Sequence, residues 1–213
     1  LDMNNGEFSP KCNICDTELN LLATDENSKI HPTSIYGITK QHQEQMVMLI
    51  GKTLSIPAVA LRYQNVYGPG QSLSNPYTGI FSIFSTRILN GNDLDIYEDG
   101  LESRDFVYID DVVSAFLYAA VAKNIEGELF NIATGVGHTL KEAFSLVADR
   151  VSDITKKKVN VNEIPWPEGV NPIEKRNFVA SIDKFKKFTG WEPTINLDEG
   201  IYRLVSFYMK NQA

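Results

Sequence analysis

Residues 57–61 constrain the fold most. Pro57 opens the stretch and Ala58, Val59, Ala60 and Leu61 follow without a polar residue between them. A short unbroken apolar run of this kind marks a strand buried on both faces, as in a parallel sheet. Proline is tolerated at the first position of such a strand. Residues 64–79 come next and are dominated by Gly, Pro, Asn and Ser. A long polar loop leaving the carboxyl end of a parallel strand is where open α/β sheets bind ligands.

Ahead of that strand, Ile35, Ile38, Met46, Leu49 and Ile50 recur at helical spacing with polar residues on the other side. The pattern predicts a helix over 35–54, with Pro32, Thr33 and Ser34 as its start signal. Tyr36 and Lys40 are four residues apart, so on a helix they point the same way and can meet one ligand together. An ammonium beside a phenol favours the phenolate. The pair then has the makings of a general acid/base working near neutral pH. By itself the pair carries little weight, since Tyr and Lys at this spacing are common on surface helices.

The rest of the chain reads as short strands and helices in alternation. Helical patterns run over 80–90, 112–122, 139–152, 182–188 and 197–210. Asp110 and Asp111 are read as the cap of the second of these, and Thr139 with Glu142 as a capping box for the third. Strands are expected over 94–97, 104–109, 128–133 and 158–164. Phe106 and Tyr108 are expected in strand cores, and Trp166 and Trp191 as packing residues. His31, His42 and His138 have no partner pattern. Lys156, Lys157 and Lys158 read as a solvated helix end.

Bulk composition excludes several classes. With 213 residues, 43% hydrophobic and 22% charged, the chain is an ordinary globular one. A net charge of -7 and a pI near 5.0 argue against a nucleic-acid coat or an anionic membrane surface as partner. No apolar run reaches the length of a membrane span. The opening residues Leu1 to Gly6 lack the basic and apolar regions of a signal peptide. Two cysteines cannot make a disulfide scaffold, so a cytoplasmic setting is expected.

Those two cysteines form Cys12-Asn13-Ile14-Cys15. A C-x-x-C knuckle is half of a structural zinc site, which needs four ligands. Three readings stay open for Cys12 and Cys15: a zinc ribbon completed by residues before Leu1, a redox pair, or two free thiols.

Five stretches, in this order, carry a resemblance. They are Tyr36 to Lys40, Leu61 to Gly70, Gly100 to Asp111, Phe130 to Gly135, and Gly190 to Pro193 with Leu197 to Gly200. Together they resemble the extended short-chain dehydrogenase/reductases that act on nucleotide-diphosphate sugars. The nearest look is to the 4-epimerase branch, dTDP-L-rhamnose 4-epimerase-like or UDP-glucose 4-epimerase-like, which places a C-x-x-C insertion before the Tyr-x-x-x-Lys helix. The resemblance implies the C-terminal part of a doubly wound, Rossmann-like parallel sheet plus a smaller α/β substrate lobe. Its division is an irregular insertion over 1–31, the remainder of the dinucleotide-binding domain over 32–70, and a substrate lobe over 71–213 interwoven with it.

The same resemblance implies roles. Tyr36 is the acid/base for a sugar hydroxyl, and Lys40 holds the nicotinamide ribose of NAD and keeps the phenol ionised. Tyr63 and Val66 lie beside the nicotinamide. Asn65 holds the diphosphate of the nucleotide sugar, with Arg104 and Arg176 as cationic partners. Thr78, Gly79 and Ile80 lie near the diphosphate and sugar, and Ile96 and Tyr97 near the base. The implied reaction is 4-epimerisation through a transient 4-keto sugar, with a 4,6-dehydratase, a decarboxylase or a non-catalytic nucleotide-sugar-binding remnant as alternatives. A homodimer through the Tyr36 helix is implied as well.

The pattern departs from the family in one respect. Members begin with a strand, a Gly-rich turn and a helix that seats the pyrophosphate, and no G-x-x-G-x-x-G occurs here. The expectation is a chain that begins inside a longer protein, binds NAD weakly or not at all alone, and turns over nothing alone.

Overall fold

The computed structural model describes residues 11–71, 80–97, 99–165 and 177–211. Helix α1 is Ile35–Leu54, followed by strands β1, Ala60–Tyr63, and β2, Asn65–Tyr67. Next come α2, Ile80–Leu89, β3, Leu94–Tyr97, β4, Ser103–Tyr108, and α3, Ile109–Val121. Strands β5, Leu129–Ile132, and β6, Gly137–Thr139, precede α4, Leu140–Thr155. The described elements end with β7, Val161–Ile164, α5, Asp183–Thr189, and α6, Leu197–Asn211.

The strands pair as the apolar run at Ala58 to Leu61 predicts. β1 lies parallel to β5, with Arg62 opposite Asn131, and β2 lies parallel to β4, with Asn65 opposite Phe106. β3 lies parallel to β7. β6 runs antiparallel to β4, setting His138 opposite Arg104. The class is α/β with parallel sheets, as expected.

Two apolar clusters hold these layers together. One joins α2, α4 and α6 over β3 and β4, with Phe81, Ile96, Phe106, Tyr108, Phe144, Val147, Ile201 and Leu204 buried in it. The other packs α3 and α5 on β5 through Val112, Ala115, Phe130, Ile132, Phe185 and Trp191. Each large side chain buried this way contributes about 1.5–3 kcal/mol of transfer free energy.

Three elements differ from the sequence expectation. Residues 65–67 form β2 rather than the start of a loop; three residues are too few for a period to register. α3 begins at Ile109, so Asp110 and Asp111 lie in its first turn instead of capping it. The Asp111 carboxylate turns inward, accepting the Thr194 N–H at 3.0 Å and the Ile195 N–H at 3.0 Å. Residues 135–137, whose Gly135-Val136-Gly137 sequence predicts a turn, do so only in part: Gly137 and Thr139 belong to a strand, and Gly135 is in the left-handed region at φ 74°. The capping box at Thr139 and Glu142 forms as expected, with hydrogen bonds of 3.1 and 3.0 Å. Trp166 lies outside the described residues. No helix among the described residues is long and apolar enough to cross a membrane.

Candidate active site

Helix α1 starts where the Ser34 hydroxyl accepts the Gly37 N–H at 3.0 Å, which satisfies one of the donors a helix N-terminus leaves unpaired. That cap puts Tyr36 in the first turn. Its side chain is 71% exposed, and Lys40 is exposed one turn later. The Lys40 Nζ lies 5.6 Å from the centre of the Tyr36 ring, within the range of a cation–π contact. The two side chains thus share an open face, as their spacing predicts.

β1 runs alongside. Tyr63, at its end, packs tilted against Phe116 of α3 with ring centres 6.3 Å apart and stays half exposed. The chain then passes into β2, where Asn65 is exposed and donates its Nδ2 to the Asp105 carbonyl at 3.3 Å. Val66 is half-buried against the Phe130 and Trp191 cluster.

Arg104 leaves β4 on the opposite side from its neighbour Asp105, and its Nη1 donates to the Ser103 carbonyl at 2.9 Å. Asp105 is fully buried. Its carboxylate accepts from the Thr134 N–H at 2.8 Å, the Thr134 hydroxyl at 2.7 Å, the Gly135 N–H at 3.0 Å and the Ala180 N–H at 3.3 Å. A buried carboxylate with this many donors is a satisfied structural anchor.

The remaining expected positions divide. Tyr97 is exposed enough to meet a ligand. Ile96 is 2% exposed and packs in the core; the alternation of β3 sends it inward where Tyr97 goes outward, so Ile96 supports its neighbour from beneath instead of reaching a base. Ile80 begins α2. Thr78, Gly79 and Arg176 lie outside the described residues.

Cys12 and Cys15 sit in a small hairpin. The Cys12 N–H donates to the Thr17 carbonyl at 2.8 Å, the Asp16 N–H to the Cys12 carbonyl at 2.9 Å, and Lys11 pairs antiparallel with Glu18. Both thiols are free. The Cys15 thiol hydrogen-bonds the Thr17 hydroxyl at 3.3 Å, which holds its pKa below the ordinary value. Among the described residues no three His, Cys, Asp or Glu side chains gather where a metal could bind, so the zinc reading of the pair gains no support.

Sequence reasoning passed over Glu44 and Arg62. The carboxylate of Glu44 on α1 meets the guanidinium of Arg62 on β1 through two hydrogen bonds of 2.7 Å. The available signal was an arginine inside an otherwise apolar strand, where an unpaired charge would be costly.

With this arrangement in hand, comparison with known proteins is decisive about kinship. The sequence family described as the NAD dependent epimerase/dehydratase family matches residues 17–133. The chain belongs to that family. It is 36% identical over 194 residues to a Methanocaldococcus jannaschii protein provisionally named UDP-glucose 4-epimerase, covering 91% of this chain and 59% of the relative. It is 34% identical over 180 residues to the dTDP-L-rhamnose 4-epimerase of Burkholderia thailandensis, covering 84% and 47%. Among solved structures, the Thermotoga maritima UDP-glucose 4-epimerase with UDP-glucose superposes with a TM-score of 0.79 at 33% identity, over 92% of this chain and 60% of that one. The chain therefore spans about half to three fifths of the length of these relatives.

For the NAD of this family, the residues present include groups of fitting chemistry. Tyr36 and Lys40 offer a phenol and an ammonium on one open face, and Tyr63 is half exposed at the end of β1.

Proposed function

We propose that this chain belongs to an NAD-dependent 4-epimerase of a nucleotide-diphosphate sugar. The observation that carries the reading is the exposed Tyr36 and Lys40 pair on α1, the helix whose Glu44 docks on Arg62 of the parallel β1. Kinship with 4-epimerases at 33–36% identity supports it.

Tyr36 takes the proton from the sugar 4-hydroxyl through its phenolate oxygen, and later gives it back. Lys40 hydrogen-bonds the nicotinamide ribose, its Nζ standing 5.6 Å from the centre of the Tyr36 ring. NAD, which Lys40, Tyr63 and Val66 would hold, would supply reversible hydride chemistry at the sugar C4. Tyr63 and Val66 flank the nicotinamide. Asn65 and Arg104 hold the diphosphate, a task that suits a guanidinium fork, and Tyr97 lies by the base.

The exposed apolar side chains of α1, among them Met46, Leu49 and Ile50, support a homodimer through this helix, and the cysteine usage supports a cytoplasmic setting. The 213 residues carry no G-x-x-G-x-x-G, so we expect NAD binding by these residues alone to be weak.

The test uses the protein encoded by the complete reading frame. It is incubated with NAD and a panel of UDP- and dTDP-hexoses, and the products are resolved by NMR. Conversion of one sugar to its C4 epimer, lost in Tyr36→Phe, is the expected result. A 4-keto-6-deoxy product would mean a dehydratase, and no turnover with any sugar would favour a binding role.

A further inference from the structure

Helix α1 carries the proposed acid/base, yet Gly51 is the one buried residue among its twenty. Among the described residues, packing alone does little to fix where Tyr36 sits. Among the described residues, the side-chain hydrogen bonds that join α1 to another element are those of Glu44. Its Oε2 accepts the Arg62 Nε and its Oε1 accepts the Arg62 Nη2, each at 2.7 Å. A planar guanidinium fork on a carboxylate is directional, so it admits one docking of the helix. The two side chains are 23% and 20% exposed, which shields the pair from much of the solvent.

Glu44 lies on the same stripe as Tyr36 and Lys40, since all three are four residues apart. It stands about 12 Å along the helix axis from Tyr36. Arg62 stands on β1, directly before Tyr63 and three residues before Asn65. Its Nη1 also donates to the Glu26 carbonyl at 3.4 Å, in the segment that leads into α1. That segment is itself tied down. The Glu26 Oε1 accepts the Asn131 N–H of β5 at 2.7 Å, and Thr24 exchanges backbone hydrogen bonds with Val179 and Ser181. One guanidinium therefore grips the helix, its approach and the strand that runs on to the proposed diphosphate contact.

We propose that Glu44 and Arg62 are positioning residues that set the register of the Tyr36 and Lys40 pair against β1. The proposal rests on the reading of Tyr36 as the proton carrier. Neither residue touches the reacting atoms. At the far end of the helix, Gly51 packs against Ile56 and Ala58 so closely that a Cβ there would come within 2.6 Å of the Ala58 Cβ. That contact holds the far end of the helix, and the ion pair holds its middle.

The first test needs no substrate. Amide hydrogen exchange is compared for the natural protein and Glu44→Gln. Faster exchange across 35–43 with 129–132 unchanged is expected; equal exchange across 35–43 overturns the proposal. If Glu44→Gln does not fold, Glu44→Asp retracts the carboxylate by one methylene and is read the same way.

The second test follows turnover in the protein from the complete reading frame. A small misplacement of a catalytic pair costs about 10²-fold in rate, so kcat of Glu44→Gln should fall by about that factor with KM little changed. Arg62→Lys, which keeps one ion-pair contact, should recover part of the loss seen in Arg62→Ala. If Tyr36→Phe is inactive while Glu44→Gln keeps the natural kcat, the positioning role is wrong. If Tyr36→Phe is fully active, the proposed function is wrong, and the exchange result stands by itself.

Discussion

The carboxylate of Asp111 accepts both the backbone N–H and the hydroxyl of Thr194, at 3.0 and 2.9 Å, across 83 residues of sequence. Asp111 is 2% exposed, and its second oxygen takes the Ile195 N–H at 3.0 Å. Three donors thus converge on one buried anion at the start of α3 and fix the turn that precedes α6. Asp111→Ala leaves those donors unsatisfied, a loss of about 3 kcal/mol by the usual cost of breaking a buried charged hydrogen-bond set. A urea titration reads this directly, and a midpoint equal to that of the natural protein would falsify the assignment.

Helix α6 approaches β2 so closely at Gly200 that a Cβ there would run into the Tyr67 ring and hydroxyl. Burial pushes the Tyr67 phenol well up, so it stays protonated and can donate to the Leu197 carbonyl at 3.4 Å. Gly200→Ala should destabilise by about 1–3 kcal/mol through overpacking. Adding Tyr67→Phe, which removes the hydroxyl nearest the new methyl, should recover part of that loss in a thermal melt. Equal melts for the single and double variants would show that the clash lies elsewhere.

Tyr36→Phe separates chemistry from stability. The phenol is solvent-exposed, so the thermal midpoint should shift by less than about 0.5 kcal/mol equivalent. Turnover in the protein from the complete reading frame should fall by about 10²–10⁴-fold, the scale of lost acid–base catalysis. Parallel melts and rate assays on one preparation check both halves.

The Cys15 thiol ionises below its ordinary range because Thr17 hydrogen-bonds it. Thiolate is the reactive form, so near neutral pH iodoacetamide should label Cys15 faster than Cys12. The rate should rise with pH through a midpoint below the ordinary thiol value. Thr17→Val removes the hydroxyl, raises that midpoint and slows labelling. Peptide mass spectrometry over a pH series distinguishes the two thiols.

Much of this was readable from the residues. The buried strand and the Tyr36 helix follow from unbroken and helical apolar patterns, and the Thr139 cap from its Glu three positions on. Such signals are local, so the chain carries them in any context. β2 was hidden because three residues cannot show a period and its pairing with β4 is a tertiary choice. Asp111 was read as a cap because acidic residues before an apolar helix usually are; its true partner, Thr194, is remote. At the site, the spacing of Tyr36 and Lys40 was visible. The grip of Arg62 on Glu44 was not, because an ion pair between a strand and a helix leaves no mark at either position beyond a charge where an apolar residue was expected.

Asp105 has a consequence for how the molecule assembles. Its carboxylate waits for donors from Thr134, Gly135 and Ala180, the last of them 75 residues away, while its carbonyl receives Asn65. Contacts between segments this distant must close large loops before they return any free energy, which slows folding. Asn65 and Arg104 therefore reach their places late. A nascent chain that has already formed its helices still lacks the surface on which Asn65 and Arg104 stand, and that surface matures only with the last long-range closure.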